Sequence, residues 1–224
     1  LDIKKNNMIE VVIIGQNEYA SMEKMLASLS PYGFKRIWVL DRCTDESESF
    51  LMEHNEFYVK TPADLVGRQT SYSRNLGLSF TGKDSDVLFL DGDRYITKGN
   101  LFHLDEEKTD ISLLMLERDN RENIKDYSEC YGQWINFFFS NGILIRRSAI
   151  NTILENNNNE LFSLDKQNSW GIEDTCLGDL CYHLGLTCDI YRGCRQSGWF
   201  TNNEIDRESM KKRILYKIDK LKSI

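Results

Sequence analysis

Three short apolar runs, residues 9–14, 37–40 and 87–90, each stop at a glycine or an acidic residue. Only Glu10 interrupts the first of them. Runs of this length, apolar on both faces and rich in Ile, Val and Leu, read as strands buried on both sides. A strand covered on both sides needs helices above and below its sheet. Between the runs the period changes to supply them. Met22, Met25, Leu26 and Leu29 recur at the spacing of one helix face. Residues 46–53 and 71–80 read as two more helices, and residues 57–59 as a third short strand in chain order. Further along, residues 111–116 and 143–145 are strand candidates, and residues 148–154 and 175–184 are helix candidates. This order predicts an α/β fold, a mixed but mostly parallel sheet flanked by helices.

The 224 residues suit one such domain, here expected over 1–206 in two halves, 1–110 and 111–206. Residues 207–224 place Lys and Arg around Met210, Ile214, Ile218 and Leu221, a basic amphipathic helix docked by its apolar stripe or turned to an anionic surface. The polar run 156–159 reads as a mobile loop. A formal net charge of -7 gives the chain no global attraction for nucleic acid or anionic lipid. No apolar run nears the ~20 residues of a membrane helix. The polar first residues lack a signal-peptide core, so the expectation is a soluble, cytoplasmic protein. Six cysteines form no C-x-x-C pair and read as reduced thiols, with Cys188 and Cys194, flanking a short loop, as the pair to watch.

In parallel sheets ligands bind beyond the carboxyl ends of the strands, so polar residues just after the apolar runs are the site candidates. Asp91-Gly92-Asp93 follows the run 87–90. Two carboxylates two residues apart in extended chain point the same way, and their repulsion is relieved by a hard divalent cation, Mg2+ or Mn2+; a solvated Asp-Gly turn is the bland alternative. Gly92 lets backbone approach a ligand closely. Asp41 ends the run 37–40, where a carboxylate can accept from a nucleobase N–H or ribose hydroxyls. Thr44 or Asp45 beyond it can instead cap the next helix. Arg68 and Arg74 are the cations available to a diphosphate, or else solvated helix residues. Trp170-Gly171-Ile172-Glu173-Asp174 precedes a helix: Asp174 suits either its N-cap or a general base, Glu173 an acceptor contact, and Trp170 a sugar ring or the core. Ser140-Asn141-Gly142 lines the acceptor side or makes a simple turn. His54, His103 and His183 occur singly, outside metal-ligand spacing.

In combination these motifs resemble family 2 glycosyltransferases of the GT-A (nucleotide-diphospho-sugar transferase) fold. Val11-Val12-Ile13-Ile14-Gly15-Gln16-Asn17-Glu18, Asp41 with Thr44-Asp45, Arg74-Asn75 with Gly77, Asp91-Gly92-Asp93 and the Trp170–Asp174 segment stand in that family's order, over roughly residues 9–190. The resemblance implies a metal-dependent transfer of a sugar from a nucleotide-diphospho-sugar, a UDP-sugar first, to a hydroxyl-bearing acceptor. A glycan is the first candidate acceptor, with a protein or a modified nucleobase as others. It places Asn17, Glu18 and Asp41 at the nucleoside, Arg74 at the base or diphosphate, Asp91 at ribose or metal, and Asp93 at the metal. The Trp-Gly-x-Glu-Asp segment is similar to the acceptor motif of galactosyltransferase-like members, whose last Asp is the base, here Asp174. The family's third metal ligand, a His after that motif, has only His183 as counterpart. Arg42 stands where the family carries a second Asp, and Gly15-Gln16 replaces its Pro. A sugar-phosphate nucleotidyltransferase would need more glycines than Gly15 after the first strand. A catalytically inactive nucleotide-sugar or glycan-binding module is the remaining alternative.

Overall fold

The first apolar run becomes the innermost strand of the parallel part of the sheet. Val11, Val12 and Ile13 are fully buried in β1 (Ile9–Gly15). On one side β1 pairs in parallel with β2 (Lys35–Leu40), which pairs in parallel with β3 (Tyr58–Lys60). On the other side it pairs in parallel with β4 (Asp86–Asp91). The sheet then continues through β7 (Ile143–Ile145), β6 (Ile111–Leu116), β8 (Cys188–Gly198) and β5 (Arg94–Gly99), giving eight strands in the order β3-β2-β1-β4-β7-β6-β8-β5. β7 runs antiparallel to both its neighbours and β5 antiparallel to β8, while β6 and β8 are parallel. The computed structural model describes residues 8–67, 69–116, 142–164 and 172–198. Arg68, Cys130, Ser140, Asn141, Trp170 and the amphipathic tail 207–224 lie outside them.

Alternation along β1 and β2 divides the core into two layers. Val12, Ile14, Ile37 and Val39 face one side, under α3 (Thr70–Ser79), α4 (Arg147–Asn156) and α5 (Ile172–His183). Val11, Ile13, Trp38 and Leu40 face the other, under α1 (Tyr19–Leu29) and α2 (Ser47–Glu53). The expected mostly parallel sheet with helices on both faces is therefore what forms. Glu10, the polar break in the first run, is 2% exposed. It is satisfied by Lys35 Nζ at 3.0 Å, Ser85 Oγ at 3.0 Å and the Gly82 amide at 3.2 Å. A buried carboxylate is tolerated on those terms. No helix among the described residues is long and apolar enough to cross a membrane.

Several expectations need correction. Residues 156–159 are not simply a loop: α4 ends at Asn156, and a hydrogen-bonded turn follows. Asn159 N donates to Leu154 O at 2.9 Å and Asn157 Nδ2 to Glu160 O at 2.8 Å, with Asn158 and Asn159 both at positive φ. Asn adopts that backbone more readily than other side chains do. Cys188 and Cys194 do not flank a loop. Both lie on β8, where the register against β6 jumps between Tyr191 and Arg195. The extra residues turn Cys188 into one core layer and Cys194 into the other, and both are free thiols. β5 and β8 had no counterpart in the sequence reading.

Gly77 shows how closely α3 lies on the sheet. A Cβ at this position would overlap the Val12 side chain and stand 3.0 Å from Val39 Cγ2. Alanine favours a helix interior over glycine by ~1 kcal/mol, but overpacking a filled core costs ~1–3 kcal/mol. Val12 is β-branched and fixed in a central strand, so it has little room to yield. Gly77→Ala is expected to lower stability by about 1–2 kcal/mol, read as a lower urea midpoint at unchanged slope. An unchanged or higher midpoint would show that α3 does not rest on β1.

Candidate functional site

The carboxyl ends of β1, β2 and β4 meet at one edge of the sheet. Gly15 registers with Leu40, and Ile14 with Asp91. β2 leaves β1 to one side and β4 to the other, so a crevice opens beyond Gly15, the topological switch point of such a sheet. The residues singled out after each run gather there.

Asn17 adopts a φ of 60° and turns its side chain onto the β2 end. Its Oδ1 accepts from the Thr44 amide at 2.7 Å and the Asp45 amide at 3.3 Å. Asp45 answers from the other direction: Oδ2 accepts from Tyr19 N at 3.0 Å and Oδ1 from Ser47 N at 3.1 Å. One carboxylate thus accepts the leading amides of α1 and α2 together, from one residue ahead of the N-cap position at Glu46. Asn17 and Asp45 fix the two loops to each other.

Asp41 is 8% exposed and already engaged. Arg42 Nε and Nη2 grip it at 2.7 and 2.9 Å, and Thr61 Oγ1 donates at 2.9 Å. Arg42 stands at a φ of 50°, which swings its side chain back over Asp41, and its guanidinium also donates to Leu65 O at 2.8 Å and Gly67 O at 2.7 Å. The residue that departs from the family pattern therefore holds both the β2 carboxylate and the following loop.

On the other side of the crevice, Glu18 lies across two glycines. A Cβ on Gly15 would stand 3.2 Å from Glu18 Cγ, and one on Gly92 3.3 Å. Burial, then the charges of Asp93, Asp91 and Asp45, push the Glu18 carboxyl up to about 7, against a smaller pull from Arg94. Burial and Asp91 push Asp93 up to about 6, again opposed by Arg94, whose Nε is 3.4 Å from Asp93 Oδ1. Ser21 Oγ, 2.8 Å from Gly92 O, steadies the backbone between the two aspartates.

The third group was not legible as a group. Arg74, expected to face a diphosphate, is 3% exposed. Its Nη2 donates to Asp91 Oδ1 at 2.8 Å, while Nη1 lies 3.8 Å from Asp174 Oδ1 and 3.9 Å from Glu173 Oε1. The last two distances are charge contacts rather than hydrogen bonds. The guanidinium also stands over the Phe162 ring, 5.2 Å from its centroid. Burial alone would lower its pKa, but Asp91, Asp174 and Glu173 together outweigh that and raise it. Asn75 holds the Phe162 segment in place, donating from Nδ2 to Phe162 O at 2.8 Å and accepting the Phe162 amide on Oδ1 at 3.0 Å. In Arg74-Asn75-Leu76-Gly77, then, Arg74 gathers carboxylates, Asn75 fixes the opposite segment and Gly77 seats the helix.

Glu173 and Asp174 lie inside the first turn of α5, not ahead of it, so Asp174 is not an N-cap. The positive end of the helix favours carboxylates there. Burial, then Asp174, push Glu173 up to about 8, with Arg74 pulling the other way. His183 closes the same helix at its far end, ~13 Å of axial rise from Asp174 at about 1.5 Å per residue. It is largely exposed and bonded through Nδ1 to Asp179 O at 2.8 Å, so the structure does not bring it to Asp91 and Asp93. His54 and His103 are likewise engaged locally, with Phe50 O and Glu106. Among the described residues no group of three or more His, Cys, Asp or Glu is arranged to hold a metal ion. Asp91 and Asp93 still fit a cation that takes its other ligands from phosphate and water. They are hard oxygen donors, and burial with mutual repulsion leaves Asp93 short of counter-charge.

No protein-family model and no curated protein matches the chain. Solved structures do match it. A fragment of S. aureus TarS, residues 1–349, gives a TM-score of 0.64 at 18% identity, covering 93% of this chain and 64% of that one. The chain thus spans less than two thirds of that fragment. Glucosyl-3-phosphoglycerate synthase from Mycobacterium tuberculosis, in complex with Mn2+, UDP and glucosyl-3-phosphoglycerate, gives 0.64 at 16% identity over 94% of this chain and 80% of that one. The same enzyme with Mn2+, UDP-glucose and phosphoglyceric acid gives 0.64 at 16% identity over 94% and 79%. The fold is GT-A-like. At these identities the likeness carries architecture, and the GT-A-like frame accounts for where the strand ends fall. The roles of side chains rest on their own geometry.

Three raised carboxyls give a signed pH dependence. A carboxyl raised on folding holds its proton longer in the folded state than in the unfolded one. Its stabilising effect is full below the unfolded pKa and is lost as pH rises through the folded value. For Glu18, Asp93 and Glu173 that window runs from the ordinary carboxylate range to about 7, 6 and 8. Asp45, Glu48 and Glu56 shift down and add no slope above pH 5. The Tm is expected to fall from pH 5 to pH 8, and Glu18→Gln to flatten the fall. A Tm rising over that interval would contradict the buried acidic edge.

Proposed function

We propose that this chain transfers a glycosyl group from a nucleoside-diphospho-sugar to a hydroxyl-bearing acceptor. The observation that carries the reading is the meeting, around one buried guanidinium, of Asp91 from the end of β4 with Glu173 and Asp174 from the start of α5. One set of carboxylates faces the switch-point crevice, and the other opens the helix beside it. Such an arrangement suits a reaction with a donor and an acceptor at adjoining positions.

In this reading the nucleoside lies against the ends of β1 and β2, beside Asn17, Glu18 and Asp41. Because Arg42 and Thr61 occupy much of the Asp41 carboxylate, Arg42 has a part in choosing the base. Arg68 and Trp170 remain candidate donor and sugar contacts. Gly92 keeps side-chain bulk away from the diphosphate, and Asp91 and Asp93 would hold a divalent cation, Mn2+ or Mg2+. When bound, that cation would offset the charge growing on the leaving diphosphate. A uridine nucleotide and Mn2+ are the first choices, because the M. tuberculosis enzyme of similar fold was solved with both.

Asp174 takes the proton of the acceptor hydroxyl as its oxygen attacks the anomeric carbon. The new C–O bond forms opposite the departing one, the nucleoside diphosphate leaves with the electron pair, and configuration inverts. Glu173, beside Asp174 and 3.9 Å from Arg74 Nη1, orients the acceptor. A glycan is the first acceptor to try, then a protein or a modified nucleobase.

Calorimetric titration with UDP-, GDP-, CMP- and dTDP-sugars, with and without Mn2+, tests the donor half. Metal-dependent binding of one nucleotide class, abolished by Asp93→Ala, is the expected result. A folded sample that binds none of them would return the chain to the other reading, a module without catalysis. Once a transfer is found, Asp174→Asn should lower kcat ~10²–10⁴-fold, the usual contribution of one general base. Turnover within a few fold of the parent protein would remove Asp174 as the base.

A further inference from the structure

We propose that Arg74 is a positioning residue that couples the two halves of the site, so that the charge on Asp174 sets how tightly a divalent cation is held at Asp91. The inference rests on the donor-site reading above. Arg74 is buried, so it acts only through what it touches: Asp91 by a hydrogen bond of 2.8 Å, and Asp174 and Glu173 across 3.8 and 3.9 Å. Its Nε and Nη1, and Glu173 Oε2, make no hydrogen bond. The guanidinium is therefore not saturated on the acceptor side, and its charge is shared between two structural elements. A planar fork that always carries its charge can divide that pull between partners, but cannot shed it.

Asp91 is the member of the group that reaches solvent. Its side chain is 31% exposed, against 7% for Glu173 and 13% for Asp174. It is thus both the partner of Arg74 and the carboxylate open to a cation. Whatever strengthens the hold of Arg74 on Asp91 withdraws negative charge from the cation. Removing the charge of Asp174 does this twice over: the guanidinium loses a competing partner, and the local field becomes more positive. Both effects weaken cation binding, although Asp174 is not itself a proposed ligand. Coupling of this kind is reciprocal, so a cation at Asp91 releases Arg74 toward Asp174. Occupation of the donor side then changes the surroundings of the group that handles the acceptor.

The test is calorimetric titration with Mn2+, alone and with UDP, on the parent protein, Asp174→Asn, Arg74→Lys and the double variant. Groups sharing one network couple by amounts that correspond here to about a fivefold to tenfold change. Asp174→Asn should weaken Mn2+ binding by that factor with near-UV circular dichroism unchanged. In the Arg74→Lys background the same substitution should change it by less than about twofold, because a lysine ammonium is a single point charge that cannot span both partners. A merely structural Arg74 would lower Tm on substitution but leave the Asp174 effect intact. If Arg74→Lys does not fold, Arg74→Gln serves as the second background. If the parent protein takes up no Mn2+ even with UDP, the donor-site reading falls and this inference with it. If the parent binds and Asp174→Asn binds equally well, the coupling alone is overturned.

Discussion

A guanidinium with 3% exposure has to be met by carboxylates, because an arginine cannot give up its proton to escape burial. The penalty for burying an unmatched ion amounts to several kcal/mol. At Arg74 the matching groups come from β4 and from α5, elements about eighty residues apart in the chain. Satisfying one side chain therefore brings together the strand that ends the parallel part of the sheet and the helix that covers its far half. Phe162, beneath the guanidinium, and Asn75, which grips the Phe162 backbone, set the height at which this happens. Gly77 sets how low α3 can lie on β1 and β2.

The crevice beside this centre is built by different means. Asn17, Asp45 and Arg42 join the loops after β1, β2 and β3 by hydrogen bonds to main-chain amides and carbonyls. Gly15 and Gly92 clear space in which Glu18 can lie beside Asp91 and Asp93. Rigid loops thus carry a patch of carboxyls with raised pKa values. Loops fixed in this way hold the carboxyls in place before any ligand arrives.

Strands made of short apolar runs and helices with one apolar face were legible in the sequence, and the polar strands β5 and β8 were not. Runs 9–14, 37–40 and 87–90 declared themselves because apolar residues filled both sides. Strands 111–116 and 143–145 did so for the same reason. β5 reads Arg-Tyr-Ile-Thr-Lys-Gly directly after an Asp-Gly-Asp turn, and its exposed half hides the period. β8 carries arginines, glycines and a register jump that breaks strict alternation, so no single period spans it. At the site, strand-end logic pointed to Asp41, Asp91 and Asp93, the resemblance added Asn17 and Glu18, and all five lie at one edge of the sheet. It could not show that Arg42 would fold back on Asp41, because that depends on a positive φ at a residue without local glycine chemistry. Nor could it show Arg74 turned inward. Helical spacing does not report which cation will be surrounded when a distant helix docks. His183 stands largely exposed at the far end of α5, bonded to Asp179, away from the turn that meets Arg74.

The longer charge contacts of Arg74 run to the first turn of α5, and its hydrogen bond to a carboxylate runs to the last residue of β4. Those are the positions where each element leaves its groups least satisfied by its own backbone. The helix start presents unpaired amides and a positive field, which suits Glu173 and Asp174. The end of a parallel strand presents its side chain to the crevice rather than to a neighbouring layer, which leaves Asp91 partly open. The GT-A-like frame brings strand ends to one edge, but it does not by itself join that edge to a helix of the second half. In this chain the two are joined both by the apolar core that Phe89 shares with Leu177 and by the buried charge of Arg74, which touches each terminus.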